Sequence, residues 1–128
     1  MTQLREYLKS AAPRRFAYGT HDCALFTAGW VRLVSGRDLT LGIRYSSLRA
    51  GLAALAAQGF ADHVAVAAAT LPEIAPARAR RGDVAVLDGP NGAPVLAIVL
   101  GERIVGLTRD GLRQVPLSAA RRAFRVTA

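Results

Sequence analysis

The sequence predicts an α+β domain in which N-terminal helices pack on a C-terminal antiparallel sheet. Three observations lead there. Up to about residue 70 the apolar residues recur at helical spacing, whereas from Gly82 onward the period falls to two. The apolar runs of the second half are separated by short turn signals, which suit hairpins rather than long crossovers. At 128 residues the chain reads as one domain, 1–128, able to bury about two-thirds of its unfolded surface without a covalent staple.

Taken in order, Leu4, Tyr7, Leu8 and Ala11 form the apolar face of a short helix, with Thr2 as its candidate cap and Pro13 as its stop. Asp22 is a strong N-cap type. Behind it Leu25, Phe26, Gly29, Trp30, Leu33 and Val34 keep helical spacing until Ser35-Gly36 supplies a stop. Trp30, Phe26 and Leu33 are expected to pack this central helix on the sheet. Residues 37–45 read as irregular. Ser46 or Ser47 caps a third helix through Leu48, Leu52 and Leu55 to a terminator at Gly59, and Asp62 caps one or two further turns through Ala69. Pro72 and Pro76 close the helical half. Strands follow at 83–87, 95–100, 103–107 and 112–115, with turns at 88–92 and at Asp110-Gly111. Ser118 caps a brief helical turn, and 123–126 close the sheet.

Composition narrows the function. The net charge of +8 comes almost wholly from arginine, Lys9 being the single lysine. The basic runs Arg14-Arg15, Arg78-Ala79-Arg80-Arg81 and Arg121-Arg122 lack the interleaved aromatics on which bases stack. Nucleic acid is therefore not the expected partner; an acidic protein surface or plain solvent suits the arginines better. One cysteine excludes an internal disulfide and a multi-thiolate zinc site, no cluster of Asp, Glu and His suggests a metal, and nothing calls for a cofactor. Residues 1–12 hold Arg5, Glu6 and Lys9 instead of a signal peptide's apolar core, and no stretch reaches the ~18 apolar residues of a membrane span.

Cys23 falls on the first residue of the central helix. There the unpaired N–H groups and the positive end of the helix dipole favour a thiolate, so Cys23 is a candidate nucleophile. Free cysteines are also among the most buried residues, and packing accounts for it as well. The only histidines are His21 and His63. His21, two residues before Cys23, shares no helix face with it and suits a solvated loop. His63 suits a surface position at a helix start.

The helix opening on Asp22-Cys23, followed by Arg81-Gly82-Asp83-Val84-Ala85-Val86-Leu87 and Ala97-Ile98-Val99-Leu100-Gly101, resembles the NlpC-type cell-wall cysteine peptidases. Phe16 to Trp30, with Gly111-Leu112 and the ending Arg122-Ala123-Phe124-Arg125-Val126, resembles more closely a group of small phage and prophage proteins associated with tail-tip genes, themselves similar to NlpC-type domains. The resemblance implies a papain-like, NlpC-type fold with Cys23 at the nucleophile position. It also implies a histidine at the start of the second strand, where this chain has Val95, and a third polar group among residues 103–107, where it has Ile104, Val105 and Leu107. Valine moves no proton. Hydrolysis of an amide by a thiol needs a base for the thiol and an acid for the leaving amine, and such a group is worth about 10²- to 10⁴-fold in rate. The expectation is therefore a catalytically silent module, a structural component of a phage or prophage tail tip. Its partners would be other tail-tip or hub proteins and peptidoglycan, and it would reach the virion tail after assembly in the host cytoplasm. The alternative is an active cysteine endopeptidase or amidase acting on peptidoglycan, with Cys23 as nucleophile and His63, His21 or a partner-chain residue as base.

Overall fold

In the computed structural model, which describes residues 2–127, helices α1 (Thr2–Ala11), α2 (Cys23–Ser35), α3 (Leu48–Ala57) and α4 (His63–Thr70) precede the sheet. The strands are β1 (Glu73–Ile74), β2 (Val84–Asp88), β3 (Pro94–Val99), β4 (Arg103–Thr108), β5 (Gly111–Pro116) and β6 (Arg122–Phe124). They form one antiparallel sheet in the order β1-β6-β2-β3-β4-β5. The α+β class expected from the change of period is thus the observed one.

Three helices begin where the sequence placed a cap. Asp22, Ser47 and Asp62 sit in extended backbone and accept from the N–H groups of Leu25, Ala50 and Ala65, each satisfying a donor that the first turn leaves unpaired. Thr2 is the first residue of α1 rather than its cap. α2 stops at Gly36, whose left-handed backbone turns its N–H back to the Arg32 carbonyl. Ser118 lies inside a short 3-10 turn, Leu117–Ala119, whose N-cap is Pro116.

The sheet is covered on both sides. Val84, Val86, Leu96 and Phe124 pack against Val31 of α2, Leu55 of α3 and Val66 of α4, while Ile98, Val105 and Leu107 meet Phe26 and Trp30 of α2 and Leu4 of α1. On the other side Ala85, Ala97, Val99 and Ile104 lie under Leu117 and Ala79, from short turns that flank the sheet. Burial on both faces explains the nearly unbroken apolar runs of β2 and β3. The Trp30 indole is buried and donates to the Gly82 carbonyl at 2.8 Å, fixing α2 over the entrance to β2. Leu33 does not share this role. It is 53% exposed, and Val34 meets the core in its place.

β1 was not expected. It lies between Pro72 and Pro76 and pairs Glu73 with Phe124 and Ile74 with Ala123. A bidentate Arg122–Glu73 pair, at 3.0 and 2.8 Å, and an Arg125 N–H to Pro72 carbonyl bond hold it to β6. β6 ends at Phe124 because the next residues turn to Asp83. The buried carboxylate of Asp83 accepts from the Arg80 and Val126 N–H groups and from the Arg125 guanidinium. Gly82-Asp83 therefore ties the start of β2 to the end of the chain. No helix among the described residues is long and apolar enough to cross a membrane.

Candidate functional site

The segment before α2 folds back on itself. Ala17 and His21 exchange backbone hydrogen bonds at 2.9 and 2.8 Å, and Gly19 at the tip has φ +83. A side chain at Gly19 would collide with the Tyr45 carbonyl oxygen as well as strain the left-handed backbone. The tight turn brings the Gly19 N–H to Asp22 Oδ2 at 2.9 Å, while Oδ1 accepts from Leu25 N at 2.9 Å. Tyr45, from the irregular segment before α3, donates its hydroxyl to the same Oδ2 at 2.6 Å. Asp22 is 2% exposed. One buried carboxylate thus caps α2, closes the turn and anchors a remote loop.

Cys23 follows as the first residue of α2, half-buried and free. Burial, and after it the negative charge of Asp22, push its thiol from the ordinary 9.0 up to about 11; the N–H groups of Cys23 and Ala24 pull the other way and do not win. The expectation that the helix start favours a thiolate is corrected here. A helix dipole contributes about 0.3–1 kcal/mol in its first turn, less than the cost of desolvating a thiolate beside a carboxylate. At pH 7 the thiolate fraction is on the order of one in ten thousand.

His63 is the first residue of α4 and is half-buried. Its ring lies 6.1 Å from the Tyr45 ring, centroid to centroid. Burial lowers its pKa, with Asp22 and Asp62 opposing, so the imidazole is neutral at pH 7. Tyr45 is held as the neutral phenol by burial, by its hydrogen bond to Asp22 and by the carboxylate's charge.

His21 is not the solvated loop residue expected. It is 3% exposed, edge-on to the Phe26 ring at 6.4 Å, and among the described residues its Nε2 meets no protein hydrogen-bond partner. Burial first and the Arg14 charge second lower its pKa, against weaker support from the Ala11 carbonyl and Asp22. The backbone exchange with Ala17 folds the ring inward, so His21 serves as a core residue between α1 and α2.

The structure therefore groups Asp22, Cys23, Tyr45 and His63 and leaves His21 outside. Among the described residues none of the side-chain hydrogen bonds reaches the Cys23 sulfur. Val95 pairs with Leu87 in regular antiparallel register. It alternates with Leu96 and Ile98, which enter the helix-facing clusters, so it points to the opposite face with Ala97 and Val99. There its methyl groups pack toward Gly89. In this register even a histidine at 95 would face away from α2, and the helix-facing residues Leu96, Ile98, Val105 and Leu107 are hydrocarbon. No cluster of three or more His, Cys, Asp or Glu suited to a metal occurs among the described residues.

Tyr45 was missed in the sequence because its partner is 23 residues away. The available signal was a lone aromatic hydroxyl in a polar segment, since a buried tyrosine needs a hydrogen-bond partner.

A family model covers residues 1–126. The chain belongs to DUF6950, a domain of unknown function. The DUF6950 match includes every residue of the group around Asp22 and the strands that meet α2. A comparison with curated proteins gives no match.

Proposed function

We propose that this DUF6950 chain is a catalytically silent, papain-like NlpC-type module that serves as a structural component of a phage or prophage tail tip, carried in the virion beside other tail-tip or hub proteins. The observation that carries the reading is the state of Cys23. It keeps a nucleophile's place at a helix start, yet its thiol is pushed up to about 11 and no imidazole hydrogen-bonds to it. The hydrocarbon face of the sheet and the outward-turned Val95 support the same reading. The test is hydrolysis of peptidoglycan stem peptides by the purified chain. No turnover above background is expected, with Cys23→Ser indistinguishable; robust cleavage abolished by Cys23→Ser would overturn the reading.

One observation favours a second reading, an active endopeptidase or amidase on peptidoglycan. His63 is neutral at pH 7 and stands beside Tyr45, which is bonded to Asp22, so it has a free proton-accepting site. In that reading Cys23→Ser and His63→Gln lose turnover together.

A further inference from the structure

At the end of the fold away from Cys23, α1 and the sheet enclose a groove of about 340 Å³. Arg81 on its wall precedes Gly82, whose carbonyl takes the Trp30 indole, about 10 Å along α2 from Cys23 at 1.5 Å per residue. The floor is apolar, built from Leu8, Leu100, Val105 and Leu112. The rim is basic, with Arg5 and Lys9 on the exposed side of α1 facing Arg81. Among the described residues no carboxylate lines the groove and none of these three cations takes part in an ion pair.

β5 is an edge strand, so one side of its backbone has no ladder partner. The Leu117 N–H donates to the Glu102 carbonyl. Antiparallel alternation from that bond makes Ile104–Val115 and Gly106–Arg113 the hydrogen-bonded pairs and turns the N–H groups of Leu112 and Gln114 outward. The Gln114 carbonyl agrees with this, accepting from the Arg103 side chain at 3.2 Å rather than from β4 backbone. Leu112 and Gln114 also line the groove. Outward N–H groups, an apolar floor and a basic rim thus lie side by side.

We propose that this groove docks an extended acidic segment of another protein, which adds along β5, places apolar side chains on the Leu8–Leu112 floor and pairs its carboxylates with Arg5, Lys9 and Arg81. Strand addition uses an open edge for affinity and neighbouring pockets for specificity, and the uncompensated cations select the sign of the partner's charge. A fatty carboxylate would use the floor and rim but not the β5 N–H groups. The inference gives the assembly reading above a partner chemistry and in that respect rests on it. The groove lies away from the thiol, however, so hydrolysis by Cys23 would sink that reading alone and absent peptide binding would sink this one alone.

The test titrates the full ¹⁵N-labelled chain with an extended peptide of alternating Glu and Leu. Saturable amide shifts are expected at Leu112, Gln114 and Lys9, with affinity falling at least ~10-fold between low and high salt. Reversing both exposed charges on α1, Arg5→Glu with Lys9→Glu, should weaken binding at least ~10-fold. Gln114→Pro, which deletes an outward N–H, should weaken it comparably; the α1 double variant keeps the test decisive if that strand change perturbs folding. The proposal is overturned by no shifts at millimolar peptide, by equal binding of the Lys-for-Glu peptide, by binding indifferent to the α1 double variant, or by dodecanoate shifting the floor residues where the peptide does not.

Discussion

Asp22 shows how much one side chain decides. Its two oxygens take three donors: the Leu25 and Gly19 N–H groups and the Tyr45 hydroxyl. Tyr45→Phe leaves the ring in place and removes one charge-assisted bond, an expected loss of about 1.5–3 kcal/mol in urea unfolding. Asp22→Ala should cost more, because it orphans all three donors, and a double-mutant cycle should show the two changes coupled. The histidines give a second prediction at this scale. Both have folded pKa values below the ordinary 6.5, His21 despite Asp22 and the Ala11 carbonyl, His63 despite Asp22 and Asp62. Above that value both states are neutral. As pH falls through it the unfolded chain takes up protons that the folded chain resists, so stability drops on the acid side. His21→Phe removes a buried nitrogen without a partner; it should leave stability at pH 8 within ~1 kcal/mol of the parent or above it, and flatten the decline between pH 7 and 5 followed by thermal unfolding. Glu73, whose pKa is lowered chiefly by its Arg122 hydrogen bond, adds a separate acid loss below the ordinary 4.5.

At the scale of elements, local chemistry was legible and long-range chemistry was not. Helix starts at Asp22, Ser47 and Asp62 follow from cap residues acting three positions away, and the four strands β2 to β5 follow from alternation and turn signals. β1 escaped because two residues between prolines carry no periodicity; its partner strand alone makes it a strand. The irregular course of residues 37–45 was legible, but the bond from Tyr45 to Asp22 and the inward fold of His21 depend on contacts that no local pattern encodes. The turn at Gly19 is where the two levels meet. Gly19→Ala must accommodate both a left-handed backbone and a collision with the Tyr45 carbonyl. It should destabilise by at least ~2 kcal/mol and lose the Tyr45–Asp22 contact, read as a fall in unfolding midpoint and as changed Tyr45 hydroxyl or ring resonances.

For the whole molecule, the charge of +8 is distributed rather than gathered over an aromatic platform. Arg109 stacks on Tyr18 and Arg122 on Phe124, so these aromatics are already occupied. Duplex DNA should therefore bind no better than the non-specific 10⁻⁴–10⁻⁶ M of a generic basic surface at physiological salt, measurable by fluorescence anisotropy. The fold as assembled sets α2 against a hydrocarbon sheet face, turns Val95 outward, buries His21 elsewhere and places a carboxylate beside the sulfur. On the reading proposed above, its central consequence is a thiol without an effective base. The most direct measurement is the rate of iodoacetamide alkylation of Cys23 in the native protein as a function of pH. A rate that is slow at pH 7 and still climbing at pH 10, toward a midpoint near 11, is the predicted result; a plateau reached below pH 8 that disappears in His63→Gln would contradict it.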